Sequence, residues 1–259
     1  MNKILSYIVA VALLLTAVSC AKKKVEVGRE NPELEIQKCI KYSDKKQFKE
    51  AVECLEIFKS HFPKSQWGIE AEMMIGDNYF RQGEYLLAAD SYQSFVKLHP
   101  VHPKVDYAYF KSGLSYLKLS PKAIDRDQDY LDDAIANFEI VLRNFPDTAY
   151  LSVTKANLKD ARTRLARRSF YIGKFYYRTG EYIAAIPRFQ EVVDKYSDTG
   201  LAEEALYFMT IANMKMNKLE AAKENFSRLS LDHPQSKYLP KLQEKLIKKA
   251  EKQQKAEAL

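Results

Sequence analysis

The sequence predicts an all-α chain of stacked helical hairpins, and three observations predict it. Gly and Pro are scarce, 8 and 9 among 259 residues, in a chain rich in Ala, Leu, Lys and Glu. That composition disfavours a sheet with many tight turns and favours helix. A pattern of a small residue, a Tyr three positions on, an Ala twelve on and a Pro twelve further on recurs along the chain, as at Gly76, Tyr79, Ala88 and Pro100. The small residues are spaced 37, 37, 60 and 37 apart, a period at which each helical pair buries its apolar face only by stacking on its neighbours.

The N-terminus reads as an export signal. One cation, Lys3, precedes a mostly apolar stretch from Ile4 to Val18, too short for a comfortable membrane span. The ending Ala17-Val18-Ser19-Cys20 resembles a bacterial lipoprotein signal, although Ala17 stands where Leu is commonest. Cleavage of residues 1–19 would leave a lipidated Cys20; an uncleaved anchor or an ordinary signal is the alternative. No acidic residue follows the cysteine directly, which by resemblance to the bacterial sorting rule favours the outer membrane. Residues 20–32 are expected as a flexible polar tether.

Five helix-turn-helix units are expected over 33–236. The first, 33–66, carries Cys39, Tyr42, Phe48, Ala51, Leu55 and Pro63; the second, 69–103, carries Gly76, Tyr79, Gly83, Tyr85, Ala88, Tyr92 and Pro100. The third, 106–149, starts with Tyr109, Gly113 and Tyr116, but Leu131, Ala134, Phe138 and Pro146 arrive nine positions late. An insertion at 120–129 explains the delay. The fourth, 152–200, carries Gly173, Tyr176, Gly180, Tyr182, Ala185 and Phe189, with Ser197 in place of Pro, and its first helix is expected to run long from about Ser152 to Tyr177. The fifth, 203–236, is weaker, with Thr210, Asn213, Leu219, Ala222, Phe226 and Pro234, and a lysine-rich helix is expected over 237–259. This is the tetratricopeptide pattern, so the expected fold is a tetratricopeptide-repeat solenoid. The small residue of the first helix admits the Ala of the second, aromatics fill the gap, and Pro closes the unit. Pro187, inside a second helix, predicts a kink. Cys39 and Cys54 read as two buried thiols, because Cys54 lies three residues past the Ala51 that should face Cys39; a disulfide is the alternative in an oxidising periplasm.

Charge and chemistry exclude several classes. Lys155 to Arg178 holds eight basic residues against Asp160, and Lys237 to Lys255 holds seven Lys against two Glu. A basic balance suits nucleic acid, but no nucleic-acid motif accompanies it in a chain that reads as exported, so solvated faces or a protein-docking surface is the reading. His61, His99 and His233 precede template prolines at helix ends, where a cation favours the dipole; His102 lies in a loop. No nucleophile-base order, phosphate loop or paired ligand spacing is present. The chain is read as no enzyme, with no cofactor and no metal.

Larger segments carry a closer resemblance. His99-Pro100-Val101-His102-Pro103-Lys104-Val105-Asp106-Tyr107, the inserted Asp125-Arg126-Asp127-Gln128, and Asn144-Phe145-Pro146-Asp147-Thr148-Ala149-Tyr150, in five repeats behind a lipoprotein signal, resemble the BamD family. That resemblance covers about Glu33 to Met209. It implies a scaffold lipid-anchored to the periplasmic face of the outer membrane. Its implied partners are the periplasmic domains of the barrel-forming subunit BamA, accessory lipoproteins and unfolded outer-membrane proteins, with the membrane met through lipid only. A tetratricopeptide lipoprotein serving cell-division or peptidoglycan machinery is the second reading. For docking, the basic surface of Arg164, Arg167, Arg168, Lys174, Arg178 and Lys195, with Arg162 nearby, is expected to meet an acidic patch. For substrate, the first helices should line an exposed apolar groove built from Ile36, Ile40, Met73, Asp77, Phe110 and Leu114. One turn along lie Phe80, Arg81, Leu117 and Lys118, with Tyr107 at the entrance. Arg81 or Lys118 would hold a terminal carboxylate.

Overall fold

A computed structural model of the chain describes residues 25–257. Among them are eleven α-helices: α1 (Pro32–Asp44), α2 (Phe48–His61), α3 (Gln66–Gln82), α4 (Tyr85–Leu98), α5 (Val105–Leu119), α6 (Tyr130–Asn144), α7 (Leu151–Thr179), α8 (Tyr182–Lys195), α9 (Ala202–Lys215), α10 (Leu219–Asp232) and α11 (Leu239–Glu257). The fold is all-α and tetratricopeptide-like. The signal segment 1–19 and Cys20 lie outside the described residues. Two compact units divide between Asn78 and Tyr79, within α3.

In the first unit, α1 starts on good local chemistry. Asn31 caps it by accepting from the N–H groups of Glu33 (3.0 Å) and Leu34 (3.1 Å), and Pro32 fills the first turn. Ile36, Cys39, Ala51, Leu55 and Phe58 form the buried seam of α1 and α2. Cys39 and Cys54 are joined in a disulfide, with Cα atoms 5.3 Å apart, which corrects the reading as two thiols. Residues three apart share a helix face, so Cys54 and Ala51 both point at α1. The described part of the expected tether is also held. Val25 is buried, the Gly28 N–H donates to Glu35 Oε2 at 2.8 Å, and the Gly28 carbonyl lies 3.0 Å from His61 Nδ1. Lys38, 2.7 Å from Glu35, and that Gly28 N–H hold the Glu35 carboxyl below the ordinary carboxylate range. Ser43 Oγ donates to Asn78 Oδ1 at 2.8 Å, a buried polar link from α1 to α3.

In the second unit each helix from α4 to α10 packs on its successor. The third and fourth repeats show why the template needs a small residue. A Cβ on Gly113 would stand 2.7 Å from Phe138 Cε1 and 3.2 Å from the Ala134 carbonyl oxygen, and one on Gly173 would stand 2.8 Å from Phe189 Cε1. The aromatic four residues after the Ala therefore occupies the space the missing side chain leaves. The hairpin turns are equally regular. Seven positions after the small residue the chain turns left-handed, at Lys46 (φ 59°), Gly83 (φ 88°), Gly180 (φ 86°) and Asn217 (φ 60°). The third repeat instead has Ser120 in extended conformation (φ −66°, ψ 126°), and the insertion begins there.

The inserted segment is folded upon itself. Gln128, buried, donates through Nε2 to the carbonyls of Pro121 (2.8 Å) and Ala123 (3.0 Å). Helix α7 is 29 residues long. Helix α8 continues through Pro187, whose missing N–H withdraws the bond that the Ile183 carbonyl would otherwise accept. The exposed proline borders a cleft of about 320 Å³ between α8, α9 and α10, lined by Ile183, Ile186, Met209 and Met216 among others. Among the described residues no helix is long and apolar enough to cross a membrane.

Candidate docking surfaces

The predicted apolar groove divides by helical register. In the first unit Ile36 and Met73 are buried, while Ile40 and Asp77 are half-buried. In the second unit Phe110 and Leu117 are each only 7% exposed, Leu114 is half-buried and Lys118 is exposed. This corrects the groove as an open apolar surface. The positions three before and four after the small residue lie about 60° and 40° from it around the helix, so they share its packed face, and of the predicted groove residues at these positions all but Phe80 are buried in the core. The positions one and five after it turn outward instead. Phe110 is moreover stacked under Tyr150, with ring centroids 5.1 Å apart and planes 7° apart, and Tyr107 lies 5.4 Å from the same ring. Phe80 is half-buried and carries the Lys111 ammonium 3.5 Å over its ring. Arg81 is exposed, as Lys118 is.

The segment that carried the family resemblance is structural in the same region. His99 and His102 pack on Phe95, with centroids 5.0 and 5.1 Å from it. Asp106 accepts from the Thr148 hydroxyl at 2.6 Å, tying the start of α5 to the turn after α6.

The predicted basic surface of α7 also divides. Arg164 points inward, donating to the carbonyls of Leu117 (3.3 Å), Ser120 (2.8 Å) and Pro121 (2.7 Å). It clamps the start of the insertion rather than facing a partner. Arg168 lies 4.0 Å from Asp127 of the insertion, Lys174 lies 3.5 Å from Glu204 and over the rings of Phe170 and Phe208, and Lys195 lies 3.4 Å from Glu191. Arg162 holds Asp198 through two bonds of 2.7 and 3.1 Å and donates to the Lys195 carbonyl at 2.7 Å. Those two bonds hold the Asp198 carboxyl below the usual carboxylate range.

Arg167 and Arg178 are left, exposed and without an ion pair among the described residues. Between them on the same face stand Tyr171 and Phe175, 45% and 50% exposed. At 3.6 residues per turn these four positions fall within an arc of about 80°. The face lies away from Gly173, which packs on Phe189. Sequence reasoning missed both aromatics because the repeat template weighs only the packed side; the signal was the spacing of four from Arg167 to Tyr171 to Phe175. Exposed Tyr, Phe and Arg in one stripe have the composition of a protein-binding hot spot.

Three comparisons bear on identity. The family model described as YfiO, outer membrane lipoprotein, matches residues 36–225. The chain is 30% identical to the outer membrane protein assembly factor BamD of Rickettsia prowazekii, over 92% of this chain and 94% of that protein. It is 27% identical to the protein of the same name from Caulobacter vibrioides, over 88% of this chain and 75% of that one. With the family model covering more than half of a chain whose helices follow the repeat pattern, the chain belongs to the BamD family of outer membrane protein assembly factors.

Proposed function

We propose that the protein is a lipid-anchored scaffold that docks the barrel-forming subunit BamA through α7 and hands it unfolded outer-membrane proteins. The observation that carries the docking is the exposed stripe Arg167, Tyr171, Phe175 and Arg178 on a long, well-packed helix. Rigid aromatics flanked by unpaired guanidinium groups suit an acidic, partly apolar protein surface. Anchoring is assigned to Cys20 on the signal in the sequence. The periplasmic face of the outer membrane is its consequence, and accessory lipoproteins of the same machinery are further partners. Substrate is received at the outward-turned positions of α5, Leu114 and Lys118. There an aromatic C-terminal segment finds one apolar and one cationic group. The scaffold works by positioning, without catalysis.

Co-purification from detergent-solubilised envelope tests this. Tyr171→Ala with Phe175→Ala should lose the co-purifying outer-membrane barrel, because both side chains lie outside the core and their removal leaves the fold intact. Arg167→Glu with Arg178→Glu should weaken association most at low salt. Undiminished recovery of the barrel by both variants sinks the α7 assignment, and recovery of wall-synthesis proteins in its place favours an adaptor of the cell-wall machinery.

A further inference from the structure

Helix α11 lies beyond residue 225, where the family match ends. Leu242 and Leu246 are buried in the core of the second unit, and from Glu251 to Lys255 every side chain is exposed. The last turns therefore extend past the apolar anchors. Around this helix Lys241, Lys245, Lys248, Lys252 and Lys255 follow one another at spacings of 4, 3, 4 and 3. At 3.6 residues per turn all five fall within an arc of about 80°, turned some 120° from the Leu242 and Leu246 face, and they form a straight ridge about 21 Å long.

A helix face that only meets water is ordinarily built with both signs of charge interspersed. This ridge is not. Each neighbouring pair of lysines stands at i,i+3 or i,i+4, where like charges destabilise the helix, and among the described residues the one carboxylate ion-paired to the ridge is Glu244 on Lys248. Lys241, Lys245, Lys252 and Lys255 form no ion pair among the described residues. An external array of anions would relieve the repulsion, and a straight convex ridge fits a plane of anions better than it fits a pocket. The apolar face of α11 is already spent on the core, so the contact is one of charge without insertion.

We propose that the lysine ridge of α11 rests on the anionic phospholipid surface of the membrane, as a contact separate from the lipid at Cys20. Each lysine close to such a surface strengthens attachment about fivefold, an effect confined to roughly a Debye length. An acyl anchor is indifferent to salt; this contact is not.

Hydrogen exchange of the full-length chain in vesicles tests it. The chain is reconstituted into phosphatidylcholine vesicles, or into vesicles with about one-third phosphatidylglycerol, and amide exchange over α11 is followed. With two or more lysines engaged, exchange should slow at least about tenfold in the anionic vesicles. It should return to the phosphatidylcholine rate in about 1 M NaCl, where the Debye length is about 3 Å, and in a variant with all five lysines replaced by Gln, which keeps helix propensity. Flotation with both kinds of vesicle reports the anchor independently, so failure of the anchor and failure of the ridge are told apart. Equal exchange in both lipids, slowing that persists in the Gln variant, or slowing that requires a protein partner whatever the lipid overturns the proposal.

Discussion

Breaking the Cys39–Cys54 bond should cost the first unit about 3 kcal/mol. The two residues are 15 apart in sequence, and constraining the unfolded chain over a loop of that length is worth about 3 kcal/mol on the chain-entropy account. The native side contributes little to the change, since both positions are fully buried and reduced thiols fill the same space as small apolar groups. The informative comparison is therefore oxidised protein against the same chain refolded in reductant, with the thiol state of each read by mass after alkylation under denaturing conditions. Because the chain divides at Asn78 into two compact units, thermal unfolding should show the loss in the transition belonging to the first. For a unit of this size 1 kcal/mol moves the midpoint by roughly 4–8 °C, so the shift should exceed about 10 °C. Coincident transitions for the two forms would refute the reasoning, as would free thiols in protein isolated from an oxidising compartment.

Lys46 holds a left-handed turn that two other repeats give to Gly; Lys46→Gly should relieve that strain and raise stability by up to about 1 kcal/mol, read from the denaturant midpoint. The Asp198 carboxyl is held low by Arg162, so its contribution is present above the ordinary value of 3.8 and is lost as pH falls through and below it. The stability gap between wild type and Asp198→Asn should accordingly shrink in denaturation series taken from roughly pH 6 to roughly pH 3; half-exposed as Asp198 is, the gap should stay under about 1 kcal/mol.

The packed side of the third and fourth repeats was legible in the sequence because it obeys one steric rule. Gly113 and Gly173 announce the aromatic that will lie on them, and the late arrival of Leu131, Ala134 and Phe138 announces an insertion, whose fold is held by the contacts of Gln128 and Arg164. What faces outward was less legible. The direction of Ile36, Met73 and Phe110 turns on about 60° of helical rotation, which a template of spacings does not resolve by itself. Arg164 and Arg167 look alike as letters, yet three backbone carbonyls claim the first and none the second. Those carbonyls belong to a segment more than forty residues away, and no local pattern brings them to α7.

The seating of Gly28 bears on how far the protein can stray from a membrane. Its N–H and carbonyl are both engaged, by Glu35 and His61, and Val25 before it is buried, so the chain is already part of the first unit at Val25 rather than from Pro32. Val25 stands five positions after Cys20, a reach of about 18 Å at full extension, against about 42 Å had the slack run to Pro32. A cysteine-borne lipid would thus keep the first repeat within a short leash of the bilayer, closer than a freely paid-out N-terminal segment allows.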